Sequence, residues 1–259
     1  MLRLTPCCSL EIDKSVRSAY YGSMSTTADR DILSLTHAHR AAERMGLVHR
    51  VQAVRHLTST TFVLRIDRNK VPCTAGQCVT LGLHGSGINR EYSLYSGEQD
   101  DYFDFLIREV EGGQVSTELR RCKPGDLVDF DGPYGRFVIE RPEERSRRYL
   151  FIATGVGIAP YQSFVRSYPW LDYTIVHGVR YCEERYDMGT YERGRYIACV
   201  TREEGGDFRG RVTAYVAEHP VAPGTICYLC GNNAMIAETY DLLRAQGVPG
   251  DNLFTEIFF

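Results

Sequence analysis

The chain changes texture once along its length, and that change leaves few architectures open to it. From Leu47 to Gly132 six short runs, LVHRVQAVRH, TTFVLRID, QCVTLGL, REYSLYS, FDFLIREV and DLVDFDG, either alternate in polarity or are rich in β-branched and aromatic residues. Turn formers such as Gly85-Ser86-Gly87 and Pro124-Gly125-Asp126 separate them. Short strands with little helix between them predict a closed antiparallel barrel, because closure removes unpaired edges. Glu140–Arg148, ERPEERSRR, is polar and charged and reads as a linker. Beyond it the apolar runs RYLFIAT, DYTIVHGV, YIACVTR, ICYLCG and LFTEIFF alternate with helices predicted over Ile158–Ser167, Val212–His219 and Ala234–Gln246. That alternation predicts a parallel sheet covered on both faces, with ligands outside the carboxyl ends of its strands. The expected fold is two-domain α+β: a six-stranded antiparallel barrel over residues 46–143, then an α/β parallel-sheet domain over residues 144–259.

Composition excludes several classes. Thirty Lys and Arg against 33 Asp and Glu give a net charge of −3, so a global basic footprint for nucleic acid is absent. No uninterrupted apolar run reaches the roughly 18–20 residues of a membrane span. Nine cysteines in 259 residues fit reduced thiols and a cytoplasmic chain better than a disulfide scaffold. Cys227-x-x-Cys230 lacks a second pair or a nearby His to complete a zinc site. Cys73-x4-Cys78 begins the spacing of a plant-type iron–sulfur site, but Leu81 stands where the next Cys is needed. Neither a metal nor an iron–sulfur cluster held by this chain is expected. Residues 1–45 are read as an extension, either disordered or preceding a true start at Met24, with a short helix over Asp29–Met45.

Six segments carry candidate chemistry. In Arg90-Glu91-Tyr92-Ser93, Arg90 and Tyr92 share a strand face. Packing plus surface charge would give the same triplet. Gly112-Gly113-Gln114-Val115-Ser116-Thr117 leads from a strand into a helix and offers an anion cradle, or a simple turn. Thr154-Gly155-Val156-Gly157-Ile158-Ala159-Pro160 follows a buried strand and opens a helix, a variant of the dinucleotide loop without its third Gly. Arg180, Arg202 and Arg211 stand at or after strand ends, where guanidinium groups suit a phosphate or simply face water. Cys230-Gly231-Asn232 ends a strand at a helix start, leaving its thiol either exposed to ligand or a small core residue. Glu256 precedes the terminal pair Phe258 and Phe259, which pack into the core or cover a ligand.

The order of these pieces is more specific than any one of them. The series R-x-Y-S, G-x-V-S, G-x-G-x-A-P, T-R-E with a following Arg, C-G-x-x-x-M and E-x-aromatic resembles the ferredoxin–NADP reductase family from about Leu47 to Phe259. The bacterial ferredoxin/flavodoxin–NADP reductases are the most similar type. This resemblance implies that the barrel binds FAD. Arg90 then grips its pyrophosphate with Glu91 beside it, Tyr92 packs on the isoalloxazine, and Ser93 lies near flavin N5. Gln114, Val115 and Ser116 hold the diphosphate, the backbone around Leu106 approaches the flavin, and Thr154 stands at the boundary with the nicotinamide nucleotide. Phe258 stacks on the flavin and Phe259 reaches its adenine. Gly155, Gly157, Ala159, Pro160, Gly231 and Asn232 border NADP(H). Arg180, Thr201, Arg202 and Arg211 match positions that recognise the 2′-phosphate. Ser93, Cys230 and Glu256 match the residues around the reacting nicotinamide and are the catalytic candidates.

The implied activity is electron transfer between NADPH and a separate one-electron carrier, ferredoxin or flavodoxin, by hydride transfer to or from flavin N5, in a monomer. Arg50, Arg55, Arg120, Arg121 and Lys123 are candidate docking groups for an acidic partner. Two other readings stay open: a reductase component of an oxygenase or an NAD(P)H–flavin reductase, and a flavin-binding electron-transfer subunit of a larger complex. The chain departs from the family pattern at Phe258, where Tyr is common, at Val156, where Thr or Ser is common, and in its extension. The purified protein is expected to absorb in the blue and near-ultraviolet, with bands bleached more by NADPH than by NADH; a colourless protein that takes up no flavin would refute this.

Overall fold

The computed structural model describes residues 47–258. The expectations for residues 1–45 and for Phe259 fall outside the described residues. Seven elements build the first unit: β1 (Val48–His56), β2 (Thr61–Asp67), β3 (Cys78–Leu83), β4 (Arg90–Ser93), β5 (Tyr102–Arg108), α1 (Gln114–Arg121) and β6 (Leu127–Tyr134). The strands pair antiparallel in the order β4-β3-β6-β1-β2-β5. The sheet curls until its two outer strands meet, where the Tyr95 N–H just after β4 donates to the Asp104 carbonyl of β5 at 2.8 Å. Period-two alternation sends Phe62, Leu64 and Ile66 of β2 and Phe103, Phe105 and Ile107 of β5 into one core. Val115, Leu119 and Cys122 follow a helical spacing and pack against that core.

The second unit holds β7 (Arg148–Thr154), a 3₁₀ turn (Gly155–Ile158), α2 (Ala159–Ser167), β8 (Asp172–Val179), β9 (Tyr196–Val200), β10 (Phe208–Arg209), α3 (Val212–Glu218), β11 (Ile226–Gly231), α4 (Asn233–Ala245) and β12 (Leu253–Ile257). Its sheet is parallel, in the order β10-β9-β8-β7-β11-β12. The chain runs outward from β7 to β10, then returns to β11 on the other side of β7. This reversal opens a crevice at the carboxyl ends of β7 and β11. β10 is the one strand that the sequence pattern does not disclose: two residues between Gly206 and Gly210 carry no periodicity. The sheet's two faces sort by alternation. Tyr149, Phe151, Ala153, Tyr228 and Cys230 pack with α2, while Ile152, Cys227 and Leu229 pack with α3 and α4. Cys227 and Cys230 therefore lie on opposite faces, which prevents them from ligating one ion.

The α2 face is also the face that meets the barrel. Val63, Ala75, Tyr95, Leu106, Phe137 and Ile139 of the first unit share one buried cluster with Tyr161, Phe164 and Tyr228 of the second. Polar contacts fix the register of this joint. Ser163 Oγ donates to the Ser96 carbonyl at 2.7 Å, and the Glu98 N–H donates to Ser167 Oγ at 2.9 Å. Tyr228 OH donates to the Val138 carbonyl at 2.8 Å. Asp187, on the loop after β8, accepts both arms of Arg55 at 2.9 and 2.6 Å and the Tyr95 hydroxyl at 3.0 Å. Burial opposes the Asp187 charge, but the hydrogen bond from Arg55 and the lesser one from Tyr95 outweigh it and hold the carboxyl below its ordinary range. Arg55 and Arg120, two candidate docking groups, are thus engaged internally, Arg120 by Glu109 at 2.9 Å.

A carboxylate whose folded pKa is depressed stabilises the fold above its unfolded value, and that contribution is lost as pH falls through the folded value. Asp187→Ala is expected to cost about 1–2 kcal/mol near neutrality, since the pair is charged but Arg55 is half exposed. In denaturant melts the gap between wild type and variant should shrink below about pH 4; a gap independent of pH would refute the ion-pair account.

Candidate active site

The carboxyl ends of β7, β11 and β12 converge on the end of β4. Parallel pairing places Cys230 opposite Ala153 on one side and Glu256 on the other. Glu256 faces the barrel, where Ser93 Oγ donates to its Oε1 at 3.2 Å. Its Oε2 is buried with no hydrogen-bond partner among the described residues. Burial, followed by the repulsion of Glu91, lifts the Glu256 carboxyl to about 7, with the Ser93 bond acting in the opposite sense. The residue as a whole is partly exposed, and it is the inward-facing Oε2 that water does not reach. A carboxyl poised near neutrality can hold or release a proton under ordinary conditions.

Cys230 does not present an exposed thiol. Alternation along β11 puts its side chain beneath α2 with Tyr228, fully buried, and burial pushes the thiol well above its usual range. It meets the site as a neutral wall. The glycine loop rides directly on it: a Cβ at Gly157 would lie 2.5 Å from the Cys230 carbonyl oxygen. Ala159 and Pro160 are buried at the start of α2, and the 3₁₀ turn begins at Thr154 with no side-chain cap. Thr154 Oγ1 instead accepts the Asn232 N–H at 3.1 Å and ties the β7 end to the β11 end. The Asn232 side chain caps α4, accepting from Ala234 and Met235 at 3.0 and 3.3 Å. The Phe258 N–H donates to the Gly231 carbonyl at 2.9 Å, and its partly buried ring packs at the shared core.

On the barrel side, Arg90 and Glu91 are exposed and Tyr92 half-buried. Burial lifts the Tyr92 hydroxyl to about 12, so the ring presents a neutral face. The Arg90 Nη1 donates only to the neighbouring Asn89 carbonyl, at 2.8 Å. Gly113 caps α1 without a side-chain acceptor, so amides of its first turn are left for an outside anion. The side chains there turn elsewhere: Val115 faces the core, the buried Ser116 hydroxyl accepts the Val110 N–H at 3.0 Å, and Gln114 donates to Glu118 at 3.0 Å. Leu106 is buried in the shared cluster. An uncapped helix start, a guanidinium without a carboxylate and a buried orphan carboxyl oxygen fit a diphosphate-bearing flavin.

Just past the carboxyl ends of β8, β9 and β10, Arg180, Arg202 and Arg211 are exposed, and their guanidinium groups bond no described residue. The Arg202 N–H donates to the Arg180 carbonyl at 2.9 Å, so the two chain segments run on together past β8 and β9. Thr201 Oγ1 donates to the Val179 carbonyl at 3.1 Å. Three residues given no role in the sequence analysis shape this region, Glu203 having entered only as the end of the T-R-E motif. Glu184 accepts the Arg180 and Tyr181 N–H groups at 2.6 and 3.3 Å, and Glu203 accepts the Cys182 N–H. These acids anchor backbone amides instead of pairing with the arginines. His177, buried in β8, bonds the Gly155 carbonyl at 2.8 Å. A polar histidine inside the apolar run DYTIVHGV is the sequence signal that could have found it.

The family model of an oxidoreductase FAD-binding domain matches residues 45–139, and that of an oxidoreductase NAD-binding domain matches residues 151–241. Ferredoxin–NADP reductase B of Sorangium cellulosum is 31% identical over 238 residues, 80% of this chain and 95% of that protein. The chain belongs to the ferredoxin–NADP reductase family. Its cofactors are FAD and an NAD(P) nucleotide. The electron transfer component of toluate 1,2-dioxygenase from Pseudomonas putida is 29% identical over 236 residues, covering 83% of this chain and 68% of that one. The chain spans 66% of a second such relative, the reductase component of propane 2-monooxygenase from Mycolicibacterium smegmatis. The crystal structure of the Amycolatopsis cytochrome P450 reductase GcoB superposes with a TM-score of 0.73 at 26% identity, over 82% of this chain and 69% of that one. Among the described residues no group of three or more His, Cys, Asp or Glu could hold a metal ion, and no helix is long and apolar enough to cross a membrane.

Glu256 yields a signed prediction. A carboxyl whose folded pKa is raised makes the fold less stable as pH rises from the unfolded value to the folded one. Glu256→Gln keeps the Ser93 bond and removes the buried charge. It is expected to stabilise the protein by about 2–3 kcal/mol near pH 8 and by nothing near pH 4. Equal stabilities of variant and wild type at both pH values in denaturant melts would sink this account.

Proposed function

We propose that this chain is an NADPH-dependent reductase that passes electrons to a separate ferredoxin or flavodoxin. The observation that carries the coenzyme choice is the trio Arg180, Arg202 and Arg211, left without acidic partners while Glu184 and Glu203 bond backbone amides. A dianionic 2′-phosphate suits such a cluster, because guanidinium bonds it bidentately and keeps its charge. Bound FAD supplies the conversion between a two-electron donor and one-electron carriers. Arg90 and the α1 amides would hold its diphosphate, and Tyr92 and Phe258 would pack against its ring system. Gly155, Gly157 and the start of α2 receive the coenzyme diphosphate, bringing the nicotinamide toward Cys230 and Glu256. Ser93 and Glu256 orient the reacting edge, and the Glu256 carboxyl exchanges a proton there. Cys230 stays protonated and shapes the wall.

The carrier reading is supported by a relative that matches nearly end to end and is named a ferredoxin–NADP reductase. A second reading, the reductase of an oxygenase system, is favoured by the toluate dioxygenase component, of which this chain spans only part. Replacing Arg202 and Arg211 together by Ala is expected to raise the KM for NADPH by about a hundredfold, from two charged hydrogen-bonding groups at about 1.5 kcal/mol each, and to change that for NADH little. Equal losses for both coenzymes would refute the 2′-phosphate assignment. Reduction rates of ferredoxin, flavodoxin and free FMN, compared side by side, test the acceptor; a clear preference for free FMN overturns it.

A further inference from the structure

We propose that His177 is a positioning residue for the coenzyme: its imidazole clamps the Gly155 carbonyl to the Tyr196 hydroxyl and sets the glycine loop. The inference rests on the NADPH reading above. His177 sits inside β8, fully buried, one strand away from β7 and in register with Ala153. Its Nε2 lies 2.8 Å from the Gly155 carbonyl and its Nδ1 2.8 Å from the Tyr196 hydroxyl. A carbonyl oxygen only accepts, so Nε2 carries the proton. Nδ1 is then the acceptor, and Tyr196 donates to it. The neutral ring satisfies both neighbours, and burial holds it neutral, with a pKa lowered to about 4.

The clamp acts at the turn that leaves β7. Gly155 adopts φ +54 at the exit of β7, and nothing lies within 4 Å of where its Cβ would stand, so side-chain packing does not fix this turn from the outer side. The bond of its carbonyl to His177 holds it from the inner side. Tyr196 is itself braced, its ring stacked on the buried Tyr191 at 5.2 Å and 3° between planes. A hydrogen-bonding His on a buried strand is thus placed to fix the backbone of a loop that must receive a diphosphate.

Two isosteric replacements separate this role from packing. The amide nitrogen of Gln reaches the place of Nε2 and restores the bond to Gly155; that of Asn reaches only the place of Nδ1. In the FAD-loaded enzyme, H177N is expected to raise the KM for NADPH about tenfold, the equivalent of one hydrogen bond at about 1.4 kcal/mol, with a smaller fall in kcat, and H177Q to keep it within about threefold of wild type. The flavin spectrum and FAD content should match wild type in both. A wild-type KM in H177N, or equal damage in the two variants, overturns the proposal. If H177N does not fold, Tyr196→Phe keeps the ring and removes the hydroxyl; a raised KM supports the clamp and an unchanged one overturns it. Nitrogen NMR of the wild-type ring should find the proton on Nε2, and finding it on Nδ1 overturns the proposal without any turnover measurement. A wild-type enzyme that oxidises no NADPH overturns the parent reading and this one with it, whereas an active wild type beside an unaltered H177N overturns this one alone.

Discussion

The packing of one sheet face against the barrel decides where every reactive group stands. α2 covers the face of β7 and β11 that carries Phe151, Tyr228 and Cys230, and the same apolar surface continues into Val63, Tyr95 and Phe137. The two units therefore share a core instead of touching through a solvated seam. Hydrophobic burial is non-directional, so it holds the units together without choosing their register. The register comes from the directional contacts around it: Ser163 to Ser96, Tyr228 to Val138 and Arg55 to Asp187. With these fixed, the end of β4 faces the ends of β11 and β12, and Ser93 meets Glu256.

The polar groups at that meeting point follow one rule. Ser93 and Glu256 bond each other, the rest are tied to backbone or kept neutral by burial, and the unpaired guanidinium groups lie at the two rims. Ser116, Thr154, Asn232 and His177 satisfy local backbone groups, and Cys230 stays a thiol. Arg90 stands at one rim and Arg180, Arg202 and Arg211 at the other, in water until an anion arrives. Keeping opposite charges off these guanidinium groups preserves their attraction for phosphate, since a nearby carboxylate would compete for the same donors.

Much of the fold was legible because both periodicities were clean. β2, β5, β7, β8 and β11 end within two residues of the runs that announced them, and the three helices of the second unit likewise. β10 was not legible, having too few residues for a pattern. The candidate site was legible as an order of motifs, and the structure gathers Ser93, Cys230, Glu256 and Phe258 at one place. What alternation could not tell was which side chains point inward with their polar atoms already engaged. Ser116 looked like a ligand hydroxyl and serves Val110; Arg55 looked like a docking group and serves Asp187. Such partners lie 6 and 132 residues away, and local pattern carries no information about the second distance.

The loop that follows β8 carries Glu184, which shapes the backbone beside Arg180, and three residues later Asp187, which latches the second unit to the barrel. The backbone that carries Arg180 and the seating of the two halves are thus written in a single short stretch of chain. An engineer who grafts that stretch from a relative would transplant the latch to the barrel along with the support of Arg180. Retuning one trait by exchange of the segment entails repairing the other.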